Sequence, residues 1–167
     1  EEAQRRQPTY SPVRSDVMLI PLRTPTLPPA THTNCYVLGT SDLWIVEPAS
    51  ADRDELEFLF KYVDGQVASG AKVRGVVLTH HHLDHIGGVV ETMERYQVDC
   101  WAHRETARRV PFLVKGKLDE GDLLPSTGHR PWAVLFTPGH APGHICLYSP
   151  LDSTIVVGDM VAGVGTI

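Results

Sequence analysis

The feature that most constrains this chain is a short apolar run, residues 75–78, that leads directly into five potential metal ligands within six residues. The run is brief and contains β-branched residues, which predicts a buried strand that ends where the ligands begin. Active sites of layered α/β folds lie at such strand ends. If the chain stays extended, alternate side chains of the cluster point to opposite sides. The five residues are His80, His81, His82, Asp84 and His85.

The chemistry of this cluster favours a metal centre. Neutral imidazoles suit zinc and similar divalent ions, and the carboxylate of Asp84 adds a harder ligand that a second ion could use. The structural alternative is a solvated loop with chance histidines, in which Asp84 caps the helix that follows. Ligand types at other strand ends would favour the metal centre.

A second strand end carries two more histidines. The predicted strand 133–136 runs into a loop that contains His140 and His144 among two prolines and two glycines. Prolines restrict the backbone and so hold a side chain in the fixed position that a metal ligand requires. His80, His82 and His140 would form a tetrahedral site with an open fourth position. We interpret His144 as a residue that orients the site.

A third strand end carries an acidic residue. The predicted strand 154–157 is followed directly by Gly158 and Asp159. An aspartate in this position is usually a turn residue. Because two other strand ends already carry ligand types, we interpret Asp159 as part of the same metal centre.

The composition is that of one globular domain, with 167 residues, 42% of them hydrophobic and 21% charged. We expect residues 1–16 to be a flexible lead-in and residues 17–167 to form the domain. The net charge of −5 disfavours nucleic acid and anionic lipid as partners. No apolar run approaches the roughly 20 residues that span a bilayer. Three separated cysteines in apolar stretches favour reduced thiols and a cytoplasmic protein; these are Cys35, Cys100 and Cys146.

The remaining pattern predicts a layered α/β sheet. Strands and helices alternate between residues 43 and 102 in a β-α-β-α-β order with short links. The second helix is expected to direct Val89, Val90 and Met93 toward the core. Four prolines predict an extended surface loop over 21–29. The predicted elements of this region are strands 17–20, 34–39, 43–47, 73–79 and 98–102, and helices 50–69 and 84–96.

These residues resemble the motifs of the metallo-β-lactamase superfamily. His80-x-His82-x-Asp84-His85 is similar to its H-x-H-x-D-H signature, residues 137–140 to its second metal motif, and residues 158–159 to its third. The sequence of residues 137–146 is similar to the glyoxalase II-like and lactamase-like endoribonuclease branches. The resemblance implies an αββα sandwich, of which this chain would supply the N-terminal half and part of the second sheet.

The resemblance also implies a ligand set for two divalent ions. The ligands of the first ion would be His80, His82 and His140, those of the second Asp84 and His85, with Asp159 bridging the two. Zinc is the favoured metal, with iron or manganese as alternatives. Members typically supply a further histidine after the bridging aspartate, and residues 161–167 contain none, so we expect an incomplete second site in this chain. Glu47 stands where many members have aspartate, and is expected to support the site with a longer side chain.

The activity implied by the resemblance is hydrolysis of a small thioester or similar ester by a metal-activated hydroxide. Asp84 would orient the hydroxide or pass a proton. Three alternatives remain: an endoribonuclease that cleaves single-stranded RNA phosphodiesters, an iron-dependent persulfide dioxygenase, and a non-catalytic metal-binding module.

Overall fold

Two β-sheets share the central buried core of the molecule. The computed structural model describes residues 9–125, 127–128 and 130–162. The larger sheet has seven strands that lie side by side in chain order, and the smaller sheet has three in the order β10-β9-β8. The strands of the larger sheet are β1 (Ser11–Arg14), β2 (Val17–Arg23), β3 (His32–Leu38), β4 (Asp42–Val46), β5 (Lys72–Val77), β6 (Cys100–Ala102) and β7 (Gly116–Lys117). Those of the smaller sheet are β8 (Ala133–Phe136), β9 (Ile145–Ser149) and β10 (Thr154–Val156).

Strand direction changes within the larger sheet. Neighbours from β1 to β4 pair antiparallel, whereas those from β4 to β7 pair parallel. Parallel neighbours need crossover connections, and helices form part of each of them here. These helices are α1 (Arg53–Ala68) after β4, α2 (Leu83–Ile86) and α3 (Val89–Tyr96) after β5, and α4 (Arg104–Ala107) after β6. The segment that follows β5, which contains the histidine cluster, therefore leaves the sheet at the carboxyl ends of its parallel strands.

The two faces of the larger sheet bury different partners. One face packs against the apolar side of α1, where Leu59 and Val63 are fully buried. The other face packs against the smaller sheet through a cluster that includes Trp44, Val134 and Leu147. This layering of helix, sheet and sheet confirms the α/β sandwich predicted for the chain. Among the described residues, no helix is long and apolar enough to cross a membrane.

The flexible lead-in predicted for residues 1–16 is wrong for its last part. Residues 1–8 lie outside the described residues, but β1 pairs antiparallel with β2. Tyr10 stacks on Phe58 of α1 with ring centroids 4.3 Å apart. The polar composition of this segment does not predict a strand, but the segment forms an edge strand that is stabilised by pairing with the sheet beside it.

The extended loop predicted for residues 21–29 begins later than expected, because Pro21 lies within β2 opposite Asn34. Proline cannot donate a backbone hydrogen bond and is therefore restricted to strand edges. β1 pairs with β2 only as far as Leu19. β2 is thus an edge on that side at Pro21, and the proline is tolerated.

The second predicted helix is interrupted, and Gly87 and Gly88 separate α2 from α3. Their N–H groups donate to the carbonyls of Ala49 and Pro48, at 3.0 and 2.8 Å. A Cβ atom at either glycine would lie within 2.8 Å of these carbonyl oxygens, so only glycine permits this approach. Val90, which was predicted to point inward, is 43% exposed.

A buried ion-pair network joins the two sheets. Arg130 Nε donates to Asp16 at 2.6 Å in the β1–β2 turn, and Arg130 Nη1 donates to Asp152 at 2.5 Å in the β9–β10 turn. The side chains of Arg130 and Asp16 are 7% and 5% exposed. Removing one member of a buried network leaves the other charges without a partner in a region of low dielectric constant. The network therefore holds the first hairpin against the last one.

Replacing Arg130 with methionine should lower the free energy of unfolding by about 3–5 kcal/mol, because Asp16 would remain buried without its cation. Arg14 also pairs with Asp152, but its side chain is 51% exposed. Arg14→Met should therefore cost at most about 1 kcal/mol. Urea denaturation of both variants measures the difference, and equal losses would contradict this role of the buried network.

Candidate metal centre

Three strand ends bring four potential metal ligands together. His80 and His82 follow β5, His140 follows β8, and Asp159 lies in a 3-10 turn (Gly158–Met160) just after β10. One ligand atom from each residue lies within 4.8 Å of those from the others. The histidines are far apart in sequence from the aspartate, and the sandwich places them side by side because the two sheets pack face to face.

The ligand atoms of this group are close enough to surround one ion. His82 Nδ1 lies 2.9 Å from His140 Nε2, and Asp159 Oδ2 lies 3.3 Å from His140 Nε2. The same oxygen lies 3.7 Å from His80 Nε2, which is buried and has no hydrogen-bond partner among the described residues. Buried polar atoms are rarely unpaired. A nitrogen of this kind, directed at a carboxylate and two imidazoles, fits a set of donors for a cation.

Hydrogen bonds determine the tautomer of His80. The carboxylate of Glu47 can only accept, so the hydroxyl of Thr79 donates its proton to Glu47. The hydroxyl then accepts from Nδ1–H of His80 at 2.9 Å, which leaves a lone pair on His80 Nε2 toward the site. Burial lowers the pKa of His80 to about 3, so the ring is neutral at pH 7. The neutral imidazole is the form that binds a metal ion.

Glu47 also orients His85. Its second carboxylate oxygen accepts from His85 Nδ1 at 3.0 Å, and its first oxygen accepts from the backbone N–H of Thr79 at 3.1 Å. Burial alone would raise the pKa of Glu47, but the charge and hydrogen bond of His85 outweigh it and lower that pKa. Glu47 is therefore an ionised, fully buried acceptor, and its role agrees with the supporting function expected from the sequence.

Asp159 faces two sets of predicted ligands. One set contains His80 and His140, and the other contains His85. The Oδ1 atom of Asp159 is 3.2 Å from His85 Nε2, while its Oδ2 atom faces His80 and His140. Asp84 Oδ2 is 3.9 Å from His85 Nε2 and stands outside the four-residue group. Asp84 and His85, the two residues predicted for a second ion, are thus adjacent to each other, and His85 also faces the Oδ1 atom of Asp159.

His144 fixes Asp159 from behind. Its Nε2 atom accepts from the backbone N–H of Asp159 at 3.2 Å, and its Nδ1 atom donates to Thr137 Oγ1 at 2.8 Å. Burial lowers the pKa of His144 to about 4, so this ring is also neutral at pH 7. These contacts agree with the interpretation of His144 as an orienting residue, because neither ring nitrogen is left to face the site.

Helix α4 holds the loop that carries His140. Thr106 is fully buried, and its hydroxyl donates to the carbonyl of Gly143 at 2.9 Å. A Cβ atom at Gly143 would lie 2.4 Å from the backbone nitrogen of Thr106, so the loop and the helix are in direct backbone contact. His103 begins this helix, and its Nδ1 atom accepts from the N–H of Glu105, as expected of a capping residue.

Two of the supporting residues were not predicted. Thr79 immediately precedes the histidine cluster, and its position at the strand end was the available signal. Thr106 contacts Gly143 across 37 positions of sequence, and no local pattern indicates such a contact. Pairing of this kind follows from how the elements pack rather than from the composition around either residue.

Fold and site together define a class of protein: an α/β sandwich whose strand ends assemble histidines and carboxylates that could hold metal ions. Residues 28–167 match the family model described as the metallo-beta-lactamase superfamily. The chain belongs to this superfamily, as the resemblance of its H-x-H-x-D-H motif predicted.

Similar proteins are longer than this chain. Probable metallo-hydrolase YybB of Bacillus subtilis (strain 168) is 27% identical over 156 residues, which cover 84% of this chain and 64% of that protein. A hydroxyacylglutathione hydrolase of Crocosphaera subtropica is 37% identical over 95 residues, covering 56% of this chain and 36% of that protein. The crystal structure of a beta-lactamase domain protein from Burkholderia ambifaria has a TM-score of 0.77 at 22% identity. The match covers 94% of this chain and 58% of that chain. This chain therefore spans less than two thirds of the length of each.

Two glycines of the His140 loop should respond differently to alanine. Gly143→Ala should lower the free energy of unfolding by about 1–3 kcal/mol, because the new methyl group would overlap the backbone of Thr106. At Gly139 a Cβ atom meets nothing within 4 Å, and Gly139→Ala should change stability by at most about 0.5 kcal/mol. Urea denaturation of both variants tests this, and equal stability would contradict the contact between α4 and the loop.

Proposed function

We propose that this chain forms part of a metal-dependent hydrolase that cleaves a small thioester or similar ester with water. The observation that carries the proposal is the convergence of His80, His82, His140 and Asp159. The buried Nε2 atom of His80 has no hydrogen-bond partner within the part of the chain that the structure describes. Membership of a superfamily named for its metal-dependent lactamases supports the same general chemistry.

The chain offers residues for two ions. His80, His82 and His140 would hold the first, Asp84 and His85 would contribute to the second, and Asp159 would face both through its two oxygens. We favour zinc, because imidazoles dominate the donor set, and iron and manganese suit the added carboxylates. Bound divalent ions of this kind supply hydroxide at neutral pH and polarise a carbonyl oxygen.

The protein residues would transfer a proton from the attacking water and hold the metal ligands in position. Asp84 is partly exposed and lies beside His85, so its carboxylate can accept a proton from the attacking water and pass it to the leaving thiol. Glu47 and Thr79 hold the His80 and His85 rings, and His144 holds the backbone of Asp159. The ligands are therefore fixed before substrate arrives, which reduces the reorganisation needed during the reaction.

A thioester is the substrate class we favour. The Crocosphaera relative is named for hydroxyacylglutathione, which is a thioester. RNA is less favoured, because the basic residues near α4 are engaged by carboxylates: Arg108 and Arg109 by Glu105, Arg104 by Asp119, and Lys115 by Asp99. Few free cations are thus left among these residues to bind a phosphate backbone.

We also propose a cytoplasmic location. Cys35, Cys100 and Cys146 are all buried and free. Burial raises the pKa of each thiol, which keeps it protonated and unreactive. Unpaired core thiols are typical of proteins in a reducing compartment.

A substrate panel tests the proposed reaction. The full-length protein, loaded with zinc, iron or manganese, is assayed with acyl-glutathione thioesters, lactones, single-stranded RNA and a persulfide. Oxygen uptake is the readout for the persulfide. We expect the highest kcat/KM with a thioester, and His82→Ala should lower it by at least roughly a hundredfold while far-ultraviolet circular dichroism stays unchanged. His32→Ala, at an exposed position on β3, is the matched control and should retain activity. RNA cleavage or oxygen uptake without thioester hydrolysis would contradict the proposal.

Glu47→Gln should weaken metal binding by roughly 10–100-fold, because the amide cannot accept from Thr79 and His85 with the same charge. Competition with a chromophoric chelator measures the affinity directly. Glu57→Gln is the control, because Glu57 is exposed on α1 and its ion pair lies within that helix. An unchanged affinity in the Glu47 variant would contradict the supporting role of this carboxylate.

A further inference from the structure

A concave apolar pocket is lined in part by the helical segment that follows the histidine cluster. Its volume is about 400 Å³, which is within the usual range for small-molecule sites. The side chains that line it are aliphatic, aromatic or absent, and none carries a polar group. The lining residues are Pro25, Ala49, Ala51, Leu83, Ile86, Gly87, Val90, Pro111 and Phe112.

The pocket shares a helix with the candidate ligands. The α2–α3 segment contributes four lining residues: Leu83, Ile86, Gly87 and Val90. Leu83 stands directly between His82 and Asp84 in sequence and is 79% exposed. On this segment the lining therefore begins between two of the candidate ligands in the chain.

We propose that this pocket binds an apolar acyl arm of the substrate, an alkyl or aryl group attached to the thioester carbonyl. This inference rests on the proposed function and names the substrate class within it. A hydroxylated or charged arm would lose its hydrogen bonds to water in a pocket that offers no polar side chain in return. An apolar arm gains affinity from burial, at about fourfold per methylene group.

The dimensions of the pocket favour a small molecule over a protein. A stable protein interface buries roughly 800 Å² on each partner, and this concavity of nine residues is too small to supply that area by itself. The exposed side chains of Leu83 and Val90 border it and would close over an acyl chain. A second copy of this chain is the alternative occupant, and the experiment includes a measurement for it.

The experiment compares acetyl and hexanoyl thioesters of the same thiol, using the full-length, metal-loaded protein. The wild-type protein should prefer the hexanoyl substrate by at least roughly tenfold in kcat/KM, because several additional methylene groups enter the pocket. Val90→Phe fills the pocket and should reduce this preference by roughly tenfold. Val67→Phe is the matched control: Val67 is 40% exposed on α1, close to the 43% of Val90, and does not line the pocket. It should keep the wild-type preference.

The possible results separate this inference from the proposed function. Thioester hydrolysis with no hexanoyl preference, or with the same preference in both valine variants, would overturn the acyl pocket and leave the hydrolase proposal intact. A change of sedimentation mass in Val90→Phe without a change in preference would also overturn it, and would assign the pocket to a second copy. If no thioester is cleaved, titration with a hexyl thioether decides: shifts of the Leu83 and Ile86 methyl resonances support an apolar ligand site, and their absence overturns it.

Discussion

The carboxylate of Glu47 is the interaction on which the candidate site most depends. It is 2% exposed and accepts hydrogen bonds from the backbone and hydroxyl of Thr79 and from His85. A buried carboxylate is costly unless it is fully paired. Here the pairing joins the end of β4, which carries Glu47, to the end of β5 and to α2. The cost of burying one charge is thus offset by contacts that fix three segments relative to each other.

The effect of Glu47 extends to the lone pairs that face the site. Because the Thr79 hydroxyl donates to Glu47, it must accept from His80 Nδ1, and His80 Nε2 is left free. Because His85 Nδ1 faces Glu47, its Nε2 atom faces Asp159. One acceptor therefore sets the orientation of two imidazoles that face different oxygens of Asp159. A neutral amide of the same shape would not impose the same arrangement, since it could donate as well as accept.

Much of the site could be predicted from the sequence, because its residues stand immediately after apolar strands. The strand before His80 and the strand before His140 both have short apolar patterns, and the sheet places such strand ends together. The interruption between α2 and α3 was not predicted, since it depends on the contact of Gly87 with Ala49, which lies far away in sequence. Val90 is exposed while its neighbour Val89 is buried, which apolar composition alone does not distinguish. Edge strand β1 was missed because its pattern is polar and its stability comes from β2.

Glycine determines how closely the third strand end can approach the other two. Gly158 has a φ angle of +51°, and a Cβ atom there would lie 2.6 Å from both His144 Nε2 and Thr79 Oγ1. Any larger residue would displace the two side chains that orient Asp159 and His80, and would also be strained at this φ angle. Asp159 can therefore reach His80 and His85 only because the residue before it has no side chain. Glycine precedes aspartate in this motif for a steric reason. Only glycine leaves the space in which the aspartate carboxylate can reach the site.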